Sequence, residues 1–257
     1  MDYNALLAVA SDLGYGLLES GAEIYRVEEA ILRLLHAYGV AQANPFVIPN
    51  CIIVSFVTPE GKAMTQVRRM PSHGTDVDLL ERYYALGRRL CQDVPPLSEA
   101  KKSLSDIRQT QRNYPLPLLL LAYFTGTASF SLFFGGTVRD AFCGGLCGVS
   151  VGFALCAMTT LHANLFFKSI LGAALSAFLA LAFTFFGIGE HSELITIGAL
   201  MALVPGIIFT NAIRDIMAGD MVAGISKIAD ALLTGVAVAL GTGFALGLSQ
   251  LLWGGGL

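Results

Sequence analysis

The stretch LVPGIIFTNAIRDIMAGD, from Leu203 to Asp220, holds the densest set of residues able to do chemistry. Pro205 has no N–H to give to the Met201 carbonyl, and its ring crowds that carbonyl. Gly206 loosens the same turn. A Pro-Gly break in an apolar helix frees backbone groups, which a membrane tolerates where they line a cavity. Broken helices of this kind recur at transporter binding sites. One turn later Asn211, Arg214 and Asp215 share a helical face at i, i+3 and i+4, and Asp220 follows. Ionisable groups at membrane depth are costly and mark functional sites; the bland alternative is a solvated loop at the interface.

Other groups raise the same choice. Arg139-Asp140 is either a second charged site or a turn that satisfies itself. Thr125, Thr127, Ser129 and Ser131 either hydrogen-bond a polar solute or return their protons to their own helix carbonyls. Thr159, Thr160, His162 and Asn164 pose the same question. His73, Asp76 and Asp78 lie in SHGTDVD and fit either a metal or hydrolytic site or the capping of a helix that follows. The sequence has no P-loop and no Gly-rich dinucleotide turn, so nothing supports ATP-driven pumping or a bound cofactor, and no metal site is assigned.

These groups need elements to hold them. Tyr3, Leu6, Leu7, Ala10, Leu13, Leu17 and Leu18 recur at helical spacing. Ser20-Gly21-Ala22-Glu23 fits a capping box ahead of a second helix with Ile24, Val27, Ile31, Leu34, Leu35 and Tyr38 on one face, ending at Gly39. Phe46–Val57 and Lys62–Arg69 are extended runs joined by Thr58-Pro59-Glu60-Gly61, a hairpin turn. A helix from about Thr75 to Cys91 puts Asp76 and Asp78 in its first turn and Arg88 and Arg89 in its last, as the helix dipole favours. Pro95-Pro96 ends it, and a final helix covers Leu97–Arg112. Residues 1–113 therefore read as an α+β domain with a β-hairpin.

Beyond that point composition changes. Charged residues make up 14% of the 257-residue chain, against ~25% in typical soluble domains, mean hydropathy is +0.65, and most of the charge precedes Asn113. Five charge-free runs follow: Pro115–Val138, Ala141–Leu161, Ser169–Gly189, Leu194–Ile213 and Ala231–Leu257. Each has roughly the 20 residues that cross a bilayer as a helix, so residues 114–257 read as an all-α membrane bundle of about five spans. The start of the chain lacks a basic segment ahead of a long apolar core and is not a secretory signal. Lys168, Arg214 and Lys227 then favour a cytoplasmic N-terminus, and an odd span count puts Trp253 to Leu257 in the periplasm. Small residues recur every four positions: Gly144, Gly148, Gly152; Gly172, Ser176, Ala180; Gly198, Ala202, Gly206; Gly235, Ala239, Gly243, Gly247. Such rows let helix backbones approach in lipid, within one bundle or between subunits of an oligomer. The five cysteines form no CxxC pair and read as buried thiols. A net charge of −3 gives no reason to expect nucleic acid.

SGAEIYRVEEAI, followed by the hairpin, the apolar spans and LVPGxxxTNAIRDxxxGD, resembles the threonine/serine exporter family over nearly the whole chain. The resemblance implies a cytoplasmic N-terminal domain in the inner membrane and proton-driven export of small polar, carboxylate-bearing metabolites. It also implies a separate small membrane subunit as partner. Some such pairs are associated with C4-dicarboxylates such as succinate. On that reading Pro205, Gly206, Asn211, Arg214, Asp215, Thr125 and Ser129 belong to the solute path, Arg214 suits the carboxylate, and Asp215 steadies the empty guanidinium. Asp215, Asp220 or Asp140 would carry the proton. The competing class is a membrane-anchored enzyme or sensor whose N-terminal half is the active part.

Overall fold

The computed structural model describes residues 1–71, 74–110, 114–161 and 163–254. His73 and Ser72, Arg112, His162 and the last three residues of the expected periplasmic tail lie outside them. The chain divides into two compact units: Met1–Arg112 with Phe209–Ile228, and Asn113–Ile208 with Ala229–Leu257.

The first unit begins with α1 (Tyr3–Glu19), whose N-cap Asp2 accepts from the N–H groups of Asn4 and Ala5. Helix α2 (Ile24–Ala37) buries Ile24, Val27, Ile31, Leu34 and Leu35, the face read from the sequence. Gly39 ends it at φ +85°. No capping box forms here: the Ser20 hydroxyl donates to Gly16 O at 2.7 Å, and the Glu23 side chain makes no cap hydrogen bond. Glu23 is committed to arginines instead.

The extended region is a three-stranded antiparallel sheet in the order β1 (Gln42–Ile48), β2 (Cys51–Val57), β3 (Ala63–Arg69). The single run expected from Phe46 is divided by Pro49-Asn50, a two-residue turn that pairs Ile48 with Cys51. The β2–β3 turn is the expected one, with Thr58 N–H donating to Lys62 O at 2.9 Å. Pro45 is tolerated because β1 is an edge strand, where a missing N–H breaks no inner ladder. Ile52, Val54 and Phe56 alternate inward from β2 and join Leu6, Leu13, Leu17 and the apolar face of α2 in one core.

Helix α3 (Val77–Asp93) starts after Asp76, which caps it by accepting from Leu79 N. It runs two residues past the expected end, so Arg88 and Arg89 sit inside it rather than in its last turn. Helix α4 (Leu97–Gln109) follows and buries Ala100 and Leu104.

The second unit contains α5 (Leu116–Phe133), α6 (Val138–Thr160), α7 (Leu165–Phe185), α8 (Ser192–Leu200) and the greater part of α10 (Met221–Trp253). Helices α5, α6, α7 and α10 are long and apolar enough to cross a membrane. Their exposed residues include Leu118, Leu121, Phe153, Phe167, Leu240 and Phe244, an apolar surface suited to lipid rather than water. The fourth charge-free run is not one continuous helix. It breaks between Leu200 and Gly206, where α9 (Gly206–Ala218) begins.

Helix α6 meets α5 through its glycines. A Cβ at Gly144 would overlap Ser131, one at Gly148 Thr127, and one at Gly152 Tyr123. Thr127 bridges the pair, its hydroxyl lying 2.9 Å from Gly144 O. Gly198 of α8 closes on Ser131 as well, and Gly241 of α10 on the backbone of α7. Gly235, Gly243 and Gly247 have open space where a Cβ would be.

Candidate functional site

Within the first unit, α9 and the start of α10 join the loop between α1 and α2. Gly21 makes that loop possible: its φ is +94°, and a Cβ there would stand 2.7 Å from Gly74 O. The turn directs Gly21 O, Glu23 and the free N–H of Ile24 toward α9. Asn211 Nδ2 donates to Gly21 O at 3.4 Å. Arg214 Nη1 donates to Glu23 Oε1 at 2.7 Å. Asp215 Oδ1 accepts from Ile24 N at 3.3 Å, a carboxylate at a helix N-terminus, where the dipole favours it. Its Oδ2 takes Lys227 Nζ of α10 at 2.6 Å.

Both partners of this last pair are withdrawn from solvent, with side-chain exposures of 0% for Asp215 and 9% for Lys227. Such a pair must hold both members, because losing one strands a buried charge. Glu23 is shared: its other oxygen lies 2.5 Å from Arg26 Nε. Arg214 keeps 56% of its side chain exposed.

The expected pairing is therefore corrected in one respect. Glu23, not Asp215, holds the Arg214 guanidinium, because the i, i+1 neighbours point apart on the helix and Asp215 turns inward to Lys227. Sequence reasoning missed Glu23 and Lys227 as site residues. Glu23 stands in SGAEI at the spacing of a capping box, which hides its reach to a distant arginine. Lys227 was visible as the single basic residue after Arg214.

Asp220 follows α9 through Gly219, whose φ is +100°. Its carboxyl is raised from its ordinary value by burial, then by Asp215, with Lys227 opposing. Glu28 of α2 is raised too, by burial first and by Asp220 last, while a hydrogen bond from Val47 N lowers it. Asp220 thus adds slightly to the rise of Glu28, while its own rise comes from burial and from Asp215.

The remaining candidates are in the second unit. Thr125 and Ser129 are exposed and return their hydroxyls to Leu121 O and Thr125 O of their own helix. Gly126 and Thr127 instead line an apolar cavity of about 310 Å³ with Met201 and Ala202 of the break before α9. Thr159 and Thr160 bond to carbonyls of α6, and Asn164 caps α7 through Phe166 N. Pro205 lies in the break and Gly206 opens α9.

Asp140 is fully buried and anchors the α7–α8 loop. One oxygen accepts from the N–H groups of Glu190 and His191 at 2.7 and 3.0 Å. The other meets His191 Nδ1 at 2.9 Å and closes a capping box with Thr137. Arg139 pairs with Glu190 at 3.5 Å rather than with Asp140. Asp140, Glu190 and His191 are close enough to share a metal ion, but the Asp140 oxygens are already occupied by these donors.

Residues 8–249 match the family model ThrE, described as "Putative threonine/serine exporter". Among curated relatives, "Pheromone-regulated membrane protein 10" of Debaryomyces hansenii is 26% identical, the alignment covering 92% of this chain and 24% of the relative. The protein of the same name from Candida albicans is 24% identical over 92% of this chain and 22% of its own length. "Probable threonine/serine exporter" of Mycobacterium tuberculosis is 21% identical over 88% of this chain and 42% of its own length. The chain thus spans between about a fifth and two fifths of the curated relatives it matches. No solved structure matches.

Proposed function

We propose that this chain, which belongs to the threonine/serine exporter family, is a subunit of an inner-membrane secondary transporter that exports small carboxylate-bearing solutes, with threonine and serine the first candidates. The observation that carries the reading is the meeting of its two motif segments. Gly21, Glu23 and Ile24 of one bond Asn211, Arg214 and Asp215 of the other. A mere anchor needs neither a broken helix nor buried charge beside it.

In this reading Glu23 holds Arg214 when the site is empty. A solute carboxylate then takes the exposed donors of the guanidinium, whose planar fork suits bidentate binding. Asp215 and Lys227 fix the angle of α9 against α2. Export runs with proton entry, and Asp220 with Glu28 is the pair suited to carry the proton, since each is biased toward its neutral form. Asp140, tied to the α7–α8 loop, serves structure instead. The broken segment α8–α9 makes a fifth crossing, the N-terminus is cytoplasmic, and the C-terminus periplasmic.

Flux in proteoliposomes tests this. L-threonine, L-serine and succinate are offered singly, with and without an imposed pH gradient, to this chain alone and to membranes that also contain a second subunit. Gradient-stimulated movement of any of the three supports export, and the preferred solute fixes the substrate. No movement in either preparation would sink the transporter reading.

A further inference from the structure

A second cavity opens between α2 and α3, wholly within the first unit. It has a volume of about 600 Å³, within the range of small-molecule sites. Arg26, Arg33 and Arg88 line it, with Glu29 as the lone acid and Tyr25 and Tyr84 among its aromatic walls. Set against Glu29 on the wall and Glu23 behind it, the three guanidiniums leave a net positive charge, carried by Arg88. Arg33 is held by Glu29 at 2.5 Å and Arg26 by Glu23 at 2.5 Å, whereas Arg88 has no ion pair among the described residues.

Tyr84 adds an independent sign. Its hydroxyl is buried and has no hydrogen-bond partner, which few native groups tolerate. Arg26 lies nearby, but its guanidinium is engaged with Glu23 and with the Tyr25 hydroxyl at 3.0 Å. Burial pushes the Tyr84 phenol up to about 12, so it remains an O–H donor without an acceptor.

We propose that this cavity binds a small organic anion with a flat or apolar body, with Arg88 and Tyr84 donating to its anionic oxygens and the tyrosine rings packing on its body. Arg26, on the cavity wall, is linked to Arg214 through two ion pairs that share Glu23.

The test uses the full chain in detergent, titrated by calorimetry and thermal melting with AMP, succinate and inorganic phosphate. AMP and succinate separate a phosphate-bearing from a carboxylate-bearing ligand. Saturable binding of either supports the site. Arg88→Ala should weaken it by about tenfold or more, the scale of a lost charged hydrogen bond. Tyr84→Phe should weaken it about threefold or more while leaving the ligand-free melting temperature unchanged or raised, because it deletes a donor that bonds nothing in the free protein. Failure of both AMP and succinate to bind, binding unchanged in both variants, or phosphate binding as tightly as AMP would each overturn the proposal. The readout is binding rather than flux, so it stands apart from the transport reading.

Discussion

Asp215 and Lys227 make the sharpest prediction at the scale of single residues. Lys227→Ala leaves a carboxylate with 0% side-chain exposure and only the Ile24 N–H for company. Removing one member of a buried pair costs about 3–5 kcal/mol, so Lys227→Ala should lower the melting temperature far more than the double variant Asp215→Asn, Lys227→Gln. Equal losses would mean the pair is not coupled. His191 sets a pH dependence. Its pKa is raised chiefly by the hydrogen bond to Asp140, so the folded state holds the proton more tightly than the unfolded chain does. The contribution of that contact is complete below about pH 6.5, the ordinary histidine value, and is lost as pH rises through the higher folded value. The protection of the Glu190 and His191 amides, taken relative to their intrinsic exchange rates, should therefore fall above neutrality in the wild type and be flat with pH in His191→Gln; flat wild-type protection would contradict this.

At the scale of elements, the glycines of α6 set how near α5 can come. A Cβ at Gly148 meets the Thr127 side chain, so Gly148→Val should destabilise the unit by about 1–3 kcal/mol, the usual cost of overpacking. Gly243→Val on α10, where there is open space, should be near neutral in the isolated chain. A similar loss at both positions would show that the α5–α6 contact is not the determinant. Those rows were legible because period-four glycines report close approach whatever the partner, but spacing alone does not say which rows meet a partner. The helices of the first unit were legible from apolar periodicity, and α2 buries the face its spacing named. What escaped was where polar side chains choose among several neighbours. Ser20 and Glu23 had the spacing of a capping box, yet Glu23 reaches two arginines, one of them 191 positions away. Pro49-Asn50 cut a β-branched run into two strands because a two-residue turn outweighs local extended propensity. The break at Pro205 was visible, since a missing N–H acts locally, whereas the Asp215–Lys227 contact depends on how α9 and α10 fold back through Gly219.

At the scale of the whole molecule, four helices are long and apolar enough to cross a membrane, and the first unit has a core of its own built on α1–α4 and a small sheet. The exposed row of Gly235, Ala239, Gly243 and Gly247 on α10 leads us to expect association with further copies or with a second membrane subunit. Native mass measurement in nanodiscs should find more than one chain per particle; a strictly monomeric, active particle would contradict that expectation. The central claim is that Arg214, held by Glu23, is the group that meets the exported carboxylate. Uptake of the solute into inside-out vesicles, measured as affinity in the wild type, Arg214→Lys and Arg214→Ala at matched protein levels, tests it most directly. A hydrogen bond to a charged group is worth ~1.5–3 kcal/mol, so the account predicts affinity lowered by about tenfold or more in Arg214→Ala and by an intermediate amount in Arg214→Lys, which keeps the charge and loses the fork. Wild-type affinity in Arg214→Ala would contradict it.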